Sequence, residues 1–231
     1  MTLRLIGARA VQEATRPLAE QFTQRTGHAV EHSYSPVGTV RKRLADGEQH
    51  DIVIVSASAI DEMAGEGVVD GATRIVLGST SIGMCVRAGA ACPDIGTAEA
   101  FRQTVIAAGS VALSDLAVGG TAGTYLNGLF ERIGLSEVIN AKAKRCAGGV
   151  DVAKCVAAGD AEIGFTFISE ILPVKGAAVV GPLPAPYGNT TVYVAAVRTG
   201  SAQAEPARAL IRAFVDPSAR DLWREVGFEN G

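Results

Sequence analysis

Five short loops rich in glycine, alanine and hydroxyl residues each lead into a stretch with helical spacing: Gly7-Ala8-Arg9-Ala10, Ser35-Pro36-Val37-Gly38-Thr39, Ser56-Ala57-Ser58, Gly119-Gly120-Thr121-Ala122-Gly123-Thr124 and Gly148-Gly149-Val150-Asp151. A helix start leaves backbone N–H groups without intrahelical partners and carries roughly half a positive charge, so several starts aimed at one point can hold an anion without a full cation. One such loop means little, because every helix must begin somewhere. Loops of this kind in both halves of the chain are the signal. They nominate Ala8, Arg9, Ala10, Val37, Gly38, Thr39 and Ser56 from the first half and Thr121, Ala122 and Thr124 from the second, with Ser169 in a later turn.

Full charge enters at Arg9, inside the first loop, and at Arg41, one turn into the helix after the second, with Lys42 and Arg43 beside it. A guanidinium fork suits a carboxylate better than a tetrahedral metal oxyanion. Lys42 reads as a solvated helix face; Arg9 and Arg41 read equally well as ligand residues and as surface charge. The run 119–123 lacks the lysine of GxxxxGK[ST] and does not fit GxGxxG, which argues against a nucleotide loop. As a tight helix start packing closely on a strand, it would need its glycines anyway.

The elements that must position these loops alternate. Residues 3–6 form a strand, and Val11, Ala14, Leu18, Ala19 and Phe22 follow at helical spacing until Gly27, with Pro17 an awkward interior residue that predicts a kink. A strand over 29–34, a helix from Val40, a doubly buried strand over 52–55 and a helix around 60–64 complete three repeats. This pattern predicts a parallel sheet with helices on both faces and ligands beyond the carboxyl ends of the strands. Residues 74–86 read as extended chain crossing into a second lobe, where the alternation restarts: helix 98–107, strand 110–113, the glycine-rich helix start, a helix from Asp151, strand 162–167 and the turn Ser169-Glu170. Strands over 177–180 and 191–197 return the chain to the first lobe, and helices over 205–214 and 218–226 close it. The expected division is residues 1–80 with 188–231 as lobe 1 and 81–187 as lobe 2, each an α/β layer.

At 231 residues and 48% hydrophobic content the chain can bury one large core or two smaller ones. A formal charge of −3 with no dense Lys/Arg run gives no footprint for nucleic acid or an anionic membrane, and no stretch has spanning length. The chain opens directly on a strand, which predicts a cytoplasmic protein, or a periplasmic one if an exporting leader has been removed; a transporter permease is the expected partner in the second case. Cys85, Cys92, Cys146 and Cys155 form no CxxC pair and read as buried thiols, with a disulfide between two of them left open. Three histidines without ligand spacing argue against a metal site, and no cofactor is expected.

The order LRLIGARAV, SYSPVGTVRKRL, DIVIVSAS, SDLAVGGTAGTYLNGLFERIG, GVDVAKCVAAGDAEIGFTFISEI and WREVGFEN resembles the molybdate-binding proteins of bacterial ABC importers along essentially the whole chain. The resemblance implies the type II periplasmic-binding fold, with two lobes, two crossings and a ligand cleft at the hinge. In that family two serine hydroxyls and a tyrosine hydroxyl hold the oxyanion beside backbone N–H groups. Alignment puts those side chains at Ala10, Val37 and Phe167 here, so all three hydroxyls are missing, while Ala122 and Val152 match the backbone donors. With each charge-assisted hydrogen bond worth roughly 1.5–3 kcal/mol, molybdate is disfavoured and a di- or tricarboxylate preferred.

A second resemblance, to aconitate isomerases, implies catalysis on the same scaffold: an allylic proton shift that needs a base and cations near the developing dienolate, and no cofactor. Glu170 is the preferred base and His32 the reserve, because burial raises a glutamate toward a useful range and histidine starts near neutrality. Structural alternatives stand beside both: Glu170 as the cap of the next helix, His32 as an outward-facing strand residue. Asp115 and Tyr125 are further candidates, with Tyr125 also readable as packing along its own helix.

Overall fold

The computed structural model describes residues 2–229; Met1, Asn230 and Gly231, which the sequence reading put at the ends of lobe 1, lie outside the described residues. In chain order the elements are β1 (Thr2–Ala8), α1 (Gln12–Thr26), β2 (Ala29–Ser35), α2 (Val37–Ala45), β3 (Ile52–Ser56), α3 (Ala57–Gly65) and β4 (Val69–Arg87). There follow α4 (Ala98–Ala107), β5 (Val111–Ser114), α5 (Thr121–Arg132), α6 (Ser136–Asn140), β6 (Ala143–Cys146), α7 (Gly149–Ala158), β7 (Ile163–Phe167), α8 (Ile168–Ile171) and β8 (Ala177–Pro182). The chain ends with β9 (Thr190–Arg198), α9 (Ala204–Phe214) and α10 (Arg220–Glu225). It forms two compact units, unit 1 up to Ser79 and from Thr191 on, unit 2 from Thr80 to Thr190.

In unit 1 the strand order runs β2-β1-β3-β9-β4. β1 is parallel to β2, with Ala8 opposite Ser35, and parallel to β3, with Gly7 opposite Ile54, whereas β9 returns antiparallel on β3. All five residues of β3 are buried, as its β-branched run requires of a strand covered on both faces. Ile6, Val53 and Val55 pack with Val40, Ile60, Met63 and Val194 in one apolar cluster. Each such side chain contributes about 1.5–3 kcal/mol through its removal from water. α9 buries Ala207, Leu210, Ile211 and Phe214, a stripe at helical spacing, and Trp223 seals its end by donating Nε1–H to the Phe214 carbonyl at 2.8 Å.

In unit 2, β5 lies parallel between β6 and β7, and β4 pairs antiparallel with both β7 and β8. Phe165 on β7 stands edge-on to Phe101 of α4 and Phe130 of α5, at ring-centre distances of 5.7 and 5.8 Å. α4 is bounded by side chains at both ends. Thr97 accepts the Ala100 N–H at 3.1 Å, and Lys142 Nζ donates to the carbonyls of Val105, Ile106 and Ala108 at 2.6–2.9 Å.

The structure corrects the sequence reading in four places. Residues 136–146 hold α6 and β6, which the apolar periodicity did not signal, because β6 exposes Lys144 and Arg145. Ser169 and Glu170 belong to the short helix α8 rather than a turn. Pro17 sits inside α1, which runs unbroken from Gln12 to Thr26. Of the four thiols, all free, only Cys85 is fully buried; Cys146 and Cys155 are half-buried and Cys92 is exposed.

Candidate functional site

Within unit 1 the register brings the ends of β1, β2 and β3 to one edge, at Ala8, Ser35 and Ser56, and each is followed at once by a helical turn. The turns begin without a side-chain cap: Ala8 precedes the 3-10 turn Arg9–Val11, Pro36 precedes α2 and Ser56 precedes α3. In α2 the first internal bond runs from the Val40 N–H to the Pro36 carbonyl at 3.0 Å, so the N–H groups of Val37, Gly38 and Thr39 stand ahead of it. All three residues are half-buried. Ala8 and Ala10 are buried, Arg9 is half-exposed, and the buried Ser56 hydroxyl lies 3.4 Å from that of Ser58. Gly7 keeps the strand end narrow: a Cβ there would come within 3.3 Å of the Tyr34 ring.

The basic triplet is committed elsewhere in unit 1. Arg41 forms ion pairs with Glu62 and, at 3.2 Å, with Glu66, both at the far end of α3; Lys42 pairs with Asp46 at 2.7 Å. Arg43 is held by Glu48 through Nε at 2.6 Å and reaches the Ser33 hydroxyl. Arg41 thus stands in a helix-to-helix ion pair between α2 and α3. His32 lies away from the strand ends. It stands opposite Leu5, three residues before the end of β2, about 10 Å from the strand end at the usual rise. There it lines a groove of about 380 Å³ with Arg4, Arg43, Glu48 and His50. Burial, reinforced by Arg16, holds its pKa below the ordinary histidine value, which keeps it neutral.

Unit 2 repeats the device. β5 and β6 end in register at Ser114 and Cys146, and β7 runs parallel to them. α5 starts after Gly120 and α7 after Gly148, again uncapped by side chains. Thr121, Ala122 and Gly123 precede the first internal bond of α5, Thr124 N–H to Gly120 carbonyl at 3.0 Å. Thr124 itself is exposed, one position beyond the donors. Val152 is corrected as a backbone donor, since it is fully buried and its N–H is bonded to the Gly148 carbonyl at 3.0 Å. Gly149, Val150 and Asp151 are the residues ahead of that bond. Counting three residues from each helix start would have found Gly123, Gly149 and Val150 in the sequence.

At the end of β7 the structure brings Glu170 to the start of α7. Glu170 is buried, accepts the Thr166 hydroxyl at 2.6 Å, and lies so close to Gly149 that any Cβ there would overlap both its carboxylate and the Thr166 oxygen. A negative charge beside the positive end of a helix is favourable, so Glu170 ties α7 to the β7–α8 corner. The Ser169 hydroxyl is buried and makes no hydrogen bond among the described residues, an uncommon state worth about 1–3 kcal/mol of lost bonding. Asp115 caps the 3-10 turn Leu116–Val118 by accepting the Ala117 N–H at 2.9 Å. Tyr125 packs along its own helix, with the Arg132 guanidinium 5.8 Å from its ring centre, and its hydroxyl donates to the Tyr187 and Gly188 carbonyls at 3.1 and 3.3 Å. Among the described residues no group of three or more His, Cys, Asp or Glu is placed to hold a metal ion, and no helix is long and apolar enough to cross a membrane.

Residues 3–229 match the family model described as bacterial extracellular solute-binding protein. An aconitate isomerase from Pseudomonas sp is 33% identical over 234 residues, covering 99% of this chain and 87% of the relative. Among solved structures, the periplasmic molybdate-binding protein of Azotobacter vinelandii superposes with a TM-score of 0.81 at 18% identity, over 99% of both chains. The sulfate-binding protein of Mycobacterium tuberculosis superposes with a TM-score of 0.79 at 18% identity, over 100% of this chain and 87% of that one. At such identity the two structures establish a shared fold, the mixed α/β architecture of periplasmic binding proteins.

Proposed function

Because the chain belongs to the family of bacterial extracellular solute-binding proteins, we propose that it binds a small organic anion carrying two or three carboxylates, held by backbone N–H groups at uncapped helix starts and by Arg9. The observation that carries this reading is the gathering of uncapped helix starts at the carboxyl edge of parallel strands in each unit. The N–H groups that each unit offers are those of Val37, Gly38 and Thr39 in unit 1 and those of Thr121, Ala122 and Gly123 in unit 2, where the Ser169 hydroxyl is also without a partner among the described residues. Ala10, Val37 and Phe167 supply no hydroxyl where a tetrahedral metal oxyanion would need one, whereas a guanidinium fork at Arg9 matches a carboxylate. In this reading a membrane permease receives the ligand if the protein works outside the cytoplasmic membrane.

Thermal unfolding with citrate, tricarballylate, cis- and trans-aconitate, molybdate and sulfate tests the proposal. A ligand present at about 100 times its Kd stabilises by about 2.7 kcal/mol, a rise in Tm of several degrees. At least one carboxylate should produce that rise, and molybdate and sulfate should not. A larger rise with molybdate than with any carboxylate overturns the carboxylate assignment.

A second reading rests on the 33% identity to an aconitate isomerase. Here the bound tricarboxylate loses a proton from its allylic carbon to a base and regains one at the other end of the shifted double bond, and the helix starts and Arg9 stabilise the dienolate between. Glu170 is the base candidate, since His32 lies away from the strand ends. Incubating the protein with cis-aconitate and following the isomer ratio by proton NMR decides it. Conversion that Glu170→Gln abolishes without changing ligand affinity supports the isomerase; an unchanged ratio leaves binding alone.

A further inference from the structure

Cys146 and Cys155, nine positions apart in the chain, come to the same apolar cluster in unit 2, and the Cys146 Sγ–H donates to the Lys144 carbonyl at 3.7 Å. Cys146 is the last residue of β6 and Cys155 lies on α7, and both pack against the apolar cluster of Val152, Val156, Ala112 and Cys85. The segment between them is the turn that opens α7, including Gly148, Gly149 and Asp151. Both side chains are half-buried, so a small oxidant can reach them, whereas Cys85 is fully buried in the same cluster.

We propose that Cys146 and Cys155 are a dithiol that closes to an intramolecular disulfide in an oxidising environment, pinning the start of α7 to the end of β6. The family is extracellular, the setting in which structural disulfides form and persist. With a small-molecule disulfide as oxidant the chemistry balances. One cysteine loses its proton and attacks a sulfur of the oxidant, releasing one thiolate and leaving a mixed disulfide. The second cysteine, as thiolate, then attacks the protein sulfur of that bond and releases the second thiolate; the two protons lost by the cysteines go to the two thiolates released. Burial and the neighbouring Cys155 sulfur push the Cys146 thiol up to about 12, so little of it is thiolate at neutral pH. Closure is therefore slow and speeds up with rising pH, the behaviour of a structural bond rather than a rapid sensor.

The test uses the full chain carrying Cys92→Ser, which removes the exposed thiol and with it disulfides between copies. The protein is incubated with oxidised glutathione at pH 8.5, alkylated and digested with trypsin without reduction. Cleavage after Arg145, Lys154 and Lys175 places the two cysteines on separate peptides, 146–154 and 155–175. The expected product is this pair joined by one disulfide, an intact mass lower by two hydrogen atoms, and a Tm about 5 °C above that of the reduced protein. A link between Cys85 and Cys155, stable glutathione adducts on separate cysteines, or three unlinked cysteine peptides after prolonged incubation each overturn the proposal. The mapping needs no ligand, so its outcome is independent of the function proposed above.

Discussion

At the start of α2 in unit 1, charged side chains are drawn away from the helix end, and Arg41 spends its guanidinium on Glu62 and Glu66 of α3. At the start of α7 in unit 2, a charged side chain is drawn in, and the Glu170 carboxylate lies against Gly149. Both are uncapped helix starts at the edge of a parallel sheet, with three residues ahead of the first internal bond. One is left to its backbone donors and the other receives a carboxylate from its own unit. The contrast teaches that a helix start is an available anion site only where the fold has not already supplied an anion, and that loop composition alone does not distinguish the two cases.

The strongest way to break this comparison is Gly149→Ala. The new methyl collides with a buried carboxylate and a buried hydroxyl at once, so the expected cost is about 3 kcal/mol, a fall in Tm of roughly 10 °C. Adding Glu170→Ala should recover part of the loss, since the two residues share one contact. A neutral Gly149→Ala in thermal unfolding would mean that α7 begins free of Glu170.

Unit 1 is sharpened by two arginines. Arg9→Gln should weaken binding of the carboxylate ligand by about 10- to 100-fold in calorimetry, the loss of one charge-assisted pair. Arg41→Gln should change it by less than about 3-fold, because its partners are surface glutamates and such pairs contribute little. The opposite ranking would make the Arg41 ion pairs a resting state that the ligand breaks.

The smallest effect separates the units by pH. All three histidines lie in unit 1, and His50 is buried there with Nε2 3.0 Å from Glu48. Burial lowers its pKa from 6.5, outweighing the opposing pull of Glu48. The unfolded chain therefore takes up this proton more readily than the folded one, so the contribution of His50 is complete above pH 6.5 and is lost as the pH falls below it. Between pH 7.5 and 5.5 the Tm should drop more for the parent protein than for His50→Gln. An equal drop would place the acid-sensitive groups elsewhere.

Elements with a dense local code were legible in the sequence. The helix Ala98–Ala107 has a threonine cap and a buried Phe101–Val105 pair one turn apart, and β3 is an unbroken β-branched run. The edge strand β6 was not legible, because its exposed Lys144 and Arg145 look like loop. The same limit governed the site. Which loops open helices could be read from glycine and hydroxyl spacing, yet which N–H groups remain ahead of the first internal bond depends on where each helix actually begins.

The sequence by itself determined the alternation of strands and helices and the helix-opening loops, because periodicity and residue type are local properties. Only the tertiary structure decided that Arg41 pairs with α3, that Glu170 belongs to the start of α7, that His32 stands back from the strand ends and that Cys146 and Cys155 share one apolar cluster. Each of those joins residues nine to twenty-five apart or is a position along a paired strand, and an isolated segment encodes the chemistry of a side chain without fixing the neighbour that will engage it.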